Sequence, residues 1–141
     1  MSFKTHEIEY LKTADIGRLA TMAPDGTLQN SPVGFSYNEQ LGTIDIAGYH
    51  MSRSRKFRNL SSHNVVAFVV DDIASRDPWR VRCLEIRGTA EQAEVADATV
   101  EPNGDRLDTA IIRITPRRII SFGIDDTETE SHLLKADSRT V

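Results

Sequence analysis

Four cationic side chains lie close together near the middle of the chain, at Arg53, Arg55, Lys56 and Arg58. They follow an alternating apolar segment, residues 43–47, which predicts a β-strand. Ser52 or Ser54 can cap a short helix here, so the cations would crowd a helix start whose unpaired N–H groups are already positive. A bound anion would relieve this repulsion. The segment therefore predicts a phosphate site, with a solvated basic face as the alternative.

The rest of the sequence narrows the kind of anion. The chain contains neither a GxGxxG pattern nor a Walker-type lysine, so neither a dinucleotide nor a P-loop triphosphate is indicated. Its formal net charge is −4, which argues against a general nucleic-acid or membrane-surface binder. A local basic cluster in an acidic protein favours a small anionic ligand.

Metal chemistry and secretion are not indicated. The four histidines show no metal-ligand spacing with each other or with Cys83, so no metal site is predicted. A single cysteine excludes an internal disulfide and fits a reducing compartment. The first residues lead into no apolar segment typical of a signal peptide, and residues 65–70, the longest strongly apolar run, are too short to span a bilayer. We expect a cytoplasmic protein.

Turn signals separate short apolar segments along most of the chain. After a helix at 5–14 capped by Thr5, strands are predicted at 17–22, 28–37, 43–47, 65–70, 80–94 and 110–124. About six strands with one or two short helices indicate a predominantly β protein, a small barrel. The barrel domain would cover residues 1–124, and residues 125–141 would form a polar tail that is loose or contacts a partner.

Details of these strands give further expectations. Pro32 favours an edge position or a bulge, and the unbroken run 65–70 predicts a strand buried on both faces. A slip in the alternation at Cys83 predicts a bulge, and residues 71–78 and 97–106 are predicted loops. We expect a homodimer that buries apolar side chains of the last strand, Ile111, Ile112, Ile114, Ile119 and Ile120. Trp79 is either ordinary core or an aromatic wall for a flat ligand.

Several short motifs, in this order, carry a family resemblance. They are Leu-Ala-Thr at 19–21, Asp-Gly at 25–26 leading to Gln-Asn-Ser-Pro-Val at 29–33, Ser-Arg-Lys-Phe-Arg-Asn-Leu at 54–60, Asp-Pro-Trp-Arg-Val-Arg at 77–82 with residues 85–91, and Pro-Arg-Arg-Ile-Ile at 116–120. The chain resembles the pyridoxamine-phosphate-oxidase-like flavin and deazaflavin oxidoreductases, which have a split β-barrel fold. It looks most like the branch that depends on coenzyme F420.

The resemblance implies a homodimer with two cofactor sites at the subunit interface. The cofactor phosphate would meet Ser54, Arg55 and Lys56, and the tricyclic ring would run along Gln29, Asn30, Ser31, Pro32, Val33, Gly48, Tyr49 and His50. Trp79 and Arg82 would come from the other subunit or from the pocket rim. In this interpretation a hydride moves between the deazaflavin ring and a small conjugated or aromatic substrate. The protein anchors the phosphate, orients the ring and excludes water.

Two alternatives remain open at the level of the sequence. One is an FMN-binding oxidase or flavin reductase, although Ser36 stands where the FMN-dependent pyridoxamine phosphate oxidases have a lysine. The other is a non-catalytic split barrel that holds a cofactor or haem. His50 and Tyr37 could donate a proton, but only their residue type suggests it.

Overall fold

The computed structural model describes residues 2–141, which form two short helices and eight strands. In chain order the elements are α1 (Thr5–Thr13), β1 (Ile16–Met22), β2 (Leu28–Gly34), β3 (Ser36–Asn38), β4 (Thr43–Ile46), α2 (Arg55–Asn59), β5 (Val65–Arg76), β6 (Trp79–Glu94), β7 (Ala110–Phe122) and β8 (Asp137–Thr140). Single 3-10 turns span Met51–Arg53 and Ser131–Leu133. Within residues 2–141, no helix combines the length and the apolar character that a bilayer crossing requires.

All eight strands belong to one antiparallel sheet with the order β2-β1-β5-β6-β7-β4-β3. β7 pairs with β6 along its whole length, and β4 and β8 share its other edge. The expected predominantly β, split-barrel architecture is confirmed. The sheet has two strands more than predicted. The predicted strand 28–37 is interrupted at Phe35, and residues near the chain end form β8. β2 ends the sheet order, so Pro32 occupies the edge strand that its missing N–H favours.

The core gathers the inward side chains of the sheet. Phe68, Leu84, Ile86, Ile112 and Ile119 are almost completely buried in it. Ile111 and Ile114 are buried as well, and only Ile120 is half-buried. Four of these five isoleucines are therefore already buried within the protomer, and only Ile120 keeps surface that a second subunit could cover.

The β5–β6 hairpin is longer than expected. β5 continues to Arg76, so the predicted loop 71–78 is mostly strand and the chain turns only at residues 77–78. β5 is also not buried on both faces: Val66, Phe68 and Val70 point inward, whereas Val65 on the other face is 68% exposed. An unbroken apolar run cannot distinguish these two cases, because it carries no alternation.

The predicted bulge at Cys83 is wrong. Cys83 pairs in register with Asp71 and Phe122, and the shift between β6 and β7 falls between Arg87 and Gly88. A Cβ atom on Gly88 would lie 2.1 Å from the Thr115 carbonyl oxygen, so only glycine allows the two strands to approach there.

The chain end is not loose. Lys4, not Thr5, is the N-cap of α1, and the carboxylate of Glu7 accepts hydrogen bonds from the Lys4 N–H at 2.8 Å and the Ser121 hydroxyl at 2.6 Å. Arg139 of β8 pairs with the same buried carboxylate. This ion pair joins α1 to β8 and fixes the last strand against the barrel.

Candidate functional site

A cleft of about 560 Å³ lies beside the start of the basic segment, where the sheet is split. Residues 32–36, which join the end of β2 to the start of β3, form one wall, and residues 47–51 after β4 form another. Ser54 and Lys56 close one side, and Thr99, Glu101 and Leu107 come from the loop before β7. The volume lies within the roughly 300–1,000 Å³ typical of small-molecule and cofactor sites. The cleft thus joins most of the predicted ring and phosphate contacts.

The basic segment is held in place by hydrogen bonds at both of its ends. The Ser54 hydroxyl accepts a bond from the Phe57 N–H at 3.3 Å, which confirms the predicted cap, and donates to the Met51 carbonyl at 2.7 Å. Asn59 is buried, and its amide donates to the Thr21 hydroxyl at 3.0 Å and to the Gln29 side chain at 3.3 Å. These contacts fix α2 against β1 and β2.

Asp108 holds the other end of the same segment, a role that the sequence did not reveal. Its carboxylate accepts bonds from the Ser52 N–H at 3.1 Å and the Ser52 hydroxyl at 2.8 Å, and its own N–H donates to the Gly48 carbonyl at 2.8 Å. Bonds from the Ser52 N–H and hydroxyl, with that from the Ala110 N–H, lower the pKa of Asp108. Asp108 therefore stays ionised and anchors residues 48–52.

The cations of the segment are not neutralised by the protein. Within the described residues, no carboxylate lies within 4.0 Å of the side chains of Arg53, Arg55, Lys56 or Arg58. Lys56 is half-buried and lines the cleft. Arg55 is exposed and does not line the cleft. Hydrogen bonds from Thr27 lower the pKa of Asp25, and the charge of Arg55 lowers it slightly further. Lys56 is thus the charge best placed to meet an anion in the cleft.

A carboxylate on the facing wall is already satisfied. Arg113 binds Asp45 through two bonds of 3.0 Å, and Asn38 and Thr43 donate at 3.0 and 2.9 Å. Burial raises the pKa of Asp45, but these bonds lower it by more, so the net pKa lies below its usual value. Asp45 therefore remains charged, and its role is structural because its partner is Arg113 of the same protomer.

The predicted run on β2 is divided between two faces because strand side chains alternate. Pro32 and Val33 line the cleft, and Gln29 points inward to Asn59. The Ser31 hydroxyl is buried and has no hydrogen-bond partner among residues 2–141. Asn30 faces outward, beside a smaller cavity of about 290 Å³ on the opposite face of the sheet. A single protomer therefore does not bring all five side chains to one ligand.

Trp79 and Arg82 lie away from the cleft of their own protomer. Trp79 is 54% exposed and borders a cavity of about 530 Å³ between the β5–β6 hairpin and residues 127–132. Arg82 pairs with Asp72 and lies over the Tyr10 ring, with 5.1 Å between its guanidinium carbon and the ring centroid. Their expected origin in a second subunit stays a prediction.

Two known proteins are similar to this chain over most of its length. The chain is 45% identical over 134 residues to a 5a,11a-dehydrotetracycline/5a,11a-dehydrooxytetracycline reductase from Streptomyces rimosus subsp. rimosus, with 94% of this chain and 92% of the relative aligned. The crystal structure of the conserved hypothetical protein Rv2991 from Mycobacterium tuberculosis superposes with a TM-score of 0.66 at 19% identity, covering 89% of this chain and 87% of that one, which supports the fold.

A solved F420 reductase is similar at 27% identity and a TM-score of 0.55, over 77% of this chain and 90% of its own. The family described as pyridoxamine 5'-phosphate oxidase matches residues 5–123, which is most of the chain. On this match, and on the 45% identity to the reductase, the chain belongs to the pyridoxamine 5'-phosphate oxidase family.

Proposed function

We propose that this protein is a reductase that uses coenzyme F420 to transfer a hydride to a small conjugated organic substrate. The observation that carries the proposal is Lys56, a half-buried cation that lines the cleft and has no carboxylate partner among the described residues. A bound anion would stabilise this charge, which no carboxylate of the described residues pairs with. The 45% identical relative is itself a reductase.

The residues of the cleft fit a flat ring with an anionic arm. Half-buried Phe35 offers apolar surface, with the core residues Val33 and Met51 behind it. The backbone at Gly48 leaves room beside them, since a Cβ there would approach nothing nearer than 3.4 Å. Lys56 would hold the phosphate, while Ser54, whose hydroxyl proton is directed at Met51, keeps the segment in shape. When bound, the cofactor supplies the hydride; the chain binds it, orients it and limits the access of water.

The proposed substrate class follows from the relative and from the cleft. The relative is named for dehydrotetracyclines, which are conjugated polycyclic carbonyl compounds. A cleft of about 560 Å³ that is open to solvent has space for a planar substrate beside a ring. We therefore propose an α,β-unsaturated carbonyl compound as the hydride acceptor.

Coenzyme F420 is favoured over FMN by three observations. A similar solved structure at 27% identity is an F420 reductase, and Ser36, which replaces the lysine of the FMN-dependent oxidases, lines the cleft. The exposed cations Arg53, Arg55 and Arg58 exceed what a single phosphate needs and suit the longer anionic tail of the deazaflavin. FMN is the second candidate, because it also offers a flat ring and a phosphate.

We also propose a homodimer that completes the site. The outer face of β1, β2 and β5 carries Leu28 and Val65, which are 71% and 68% exposed, around the half-buried Ala20, Ala67 and Val69. A sheet face with this much apolar surface is suited to a second copy. Static light scattering at micromolar concentration should report a dimer, and Val69→Arg should shift it toward monomer. A monomeric parent protein would contradict the interface site.

The deciding experiment is a paired titration. Purified protein is titrated with coenzyme F420 and with FMN, and binding is followed by fluorescence quenching. Turnover of enones with the reduced cofactor then separates an enzyme from a carrier. Tighter binding of FMN would refute the cofactor assignment, and F420 binding without turnover of any conjugated acceptor would leave a binding protein.

A further inference from the structure

The proposed reaction leaves negative charge on the substrate. Hydride addition to the β-carbon of an α,β-unsaturated carbonyl compound moves an electron pair onto the carbonyl oxygen as an enolate, and one proton must then be added. A hydrogen-bond donor aimed at that oxygen would stabilise the charge. Of the cleft side chains with a donor, Ser54 is committed to the Met51 carbonyl and Lys56 is assigned to the phosphate, which leaves Ser36, Tyr49, His50 and Thr99. The alternative Tyr37 packs edge-on against Phe3, with ring centroids 5.4 Å apart, and does not line the cleft.

The contact between His50 and Arg53 distinguishes His50 from the other candidates. The 3-10 turn Met51–Arg53 begins at His50, and residues three apart in such a turn lie over one another. Arg53 Nη2 lies 3.0 Å from His50 Nδ1. Arginine has only donors, so Nδ1 must accept, and the imidazole proton is on Nε2. Within the described residues, the side-chain hydroxyls of Ser36, Tyr49 and Thr99 make no hydrogen bond that fixes their direction.

The same contact limits what His50 can do. An imidazolium carries protons on both nitrogens and could not accept from Arg53. A neutral imidazole that gave up its Nε2 proton would become an anion, which makes it a poor acid. We propose that His50 is a neutral hydrogen-bond donor to the carbonyl oxygen of the substrate, with Arg53 as the positioning residue that fixes its tautomer. The proton that completes the reduction comes from water, which is left as hydroxide.

This inference rests on the proposed function, because it needs a hydride acceptor in the cleft. The role proposed for His50 differs from general acid catalysis in one measurable way. A hydrogen-bond donor keeps its proton during the reaction, whereas a general acid transfers it. The other charged groups that line the cleft are Asp15, Asp45, Lys56 and Glu101. Their contributions to a pH profile are shared by the parent protein and by variants of His50. Comparing those profiles therefore isolates the contribution of the imidazole.

The test compares His50→Gln, whose amide can donate a hydrogen bond but cannot transfer a proton, with His50→Phe, which can do neither. Loss of a donor in a water-excluded oxyanion site costs about 10²–10³ in kcat. Because His50 is exposed at the cleft mouth, we expect about a tenfold loss in His50→Phe and a loss of less than about threefold in His50→Gln. The pH profiles of the parent protein and His50→Gln should coincide. Equal losses in both variants, a profile whose acid limb disappears in His50→Gln, or a larger loss in Tyr49→Phe would overturn the proposal.

A second measurement needs no cofactor. Nitrogen NMR of the imidazole rings, with His50 assigned by its disappearance in His50→Gln, should show a proton on Nε2 and none on Nδ1. Arg53→Met should move the Nδ1 signal, whereas Arg76→Met, which replaces another exposed arginine, should not. A proton on Nδ1 overturns the inference whatever the activity. If neither F420 nor FMN binds, the proposed function fails, although the nitrogen assignment can still be measured.

Discussion

Replacing Lys56 by alanine should weaken cofactor binding strongly and leave the fold intact. A hydrogen bond that involves a charged group contributes about 1.5–3 kcal/mol, which corresponds to a rise of about 10- to 150-fold in the dissociation constant. Lys56 has no carboxylate within 4.0 Å among the described residues, so the folded protein loses no ion pair. Alanine and lysine are both good helix formers, and we expect the free energy of unfolding to change by less than about 0.5 kcal/mol.

Two measurements on the same variant separate binding from stability. Fluorescence quenching gives the dissociation constant at low and at high salt, and urea unfolding without cofactor gives the stability. Because Lys56 is half-buried, its effect should persist at high salt. Arg58→Ala removes an exposed cation from the same helix, and its smaller effect, about 0.2–1 kcal/mol, should fade with salt.

Lys135→Ala provides the control, because Lys135 is exposed and does not line the cleft. It should change neither measurement. The reasoning is refuted if Lys56→Ala binds cofactor as tightly as the parent protein but melts earlier, since the segment would then be structural and its charge incidental.

Three further substitutions test the scaffold. Glu7→Gln should cost about 3 kcal/mol by removing the partner of Arg139. Burial raises the pKa of Glu7, but bonds from Arg139 and Ser121 lower it below its usual 4.5. The ion pair therefore stabilises the fold fully above about pH 4.5, and this stabilisation is lost as the pH falls through the lower pKa that Glu7 has in the folded state. The free energy of unfolding in urea should decrease over that acidic range, and Glu7→Gln should make the decrease smaller. Gly88→Ala should destabilise by about 1–3 kcal/mol, seen as a lower melting temperature, whereas Gly34→Ala, with no atom nearer than 3.9 Å to its new Cβ, should not. Asn59→Ala should weaken cofactor binding and lower stability together, since its amide fixes α2; loss of stability alone would separate the helix from the site.

The sequence predicted the parts of the site that depend on local chemistry. The Ser54 cap, the edge position of Pro32 and the strand before the basic segment follow from side-chain types within a few residues of each other. The cleft brings Pro32 and Val33 together with Gly48, Tyr49, His50, Ser54 and Lys56, whereas Gln29, Asn30, Ser31 and Arg55 do not line it. Short-range rules are sufficient there, because the cap and the strand alternation are set by neighbours along the chain.

Long-range contacts account for what the sequence did not predict. Asp108 binds Ser52 across 56 positions of sequence from a loop with no periodicity, and nothing near Asp108 indicates that partner. The buried Glu7–Arg139 pair joins the two ends of the chain, and the polar composition of residues 125–141 does not reveal it. The composition alone therefore suggested a loose tail. Gly88 carries the irregularity expected at Cys83 because a close approach of two backbones is set by the partner strand.

The distribution of satisfied and unsatisfied polar groups is the strongest physical argument for a ligand in the cleft. Asp45, Asp108 and Asn59 each have two or more hydrogen-bond partners, so the walls of the cleft are fixed without any ligand. Lys56, which lines the cleft, has no anionic partner among residues 2–141. If the segment served only to close the barrel, an uncharged residue at position 56 would do so without the repulsion from Arg53, Arg55 and Arg58. An anion in the cleft removes that repulsion, and the rigid walls around Lys56 lower the entropy cost of binding it.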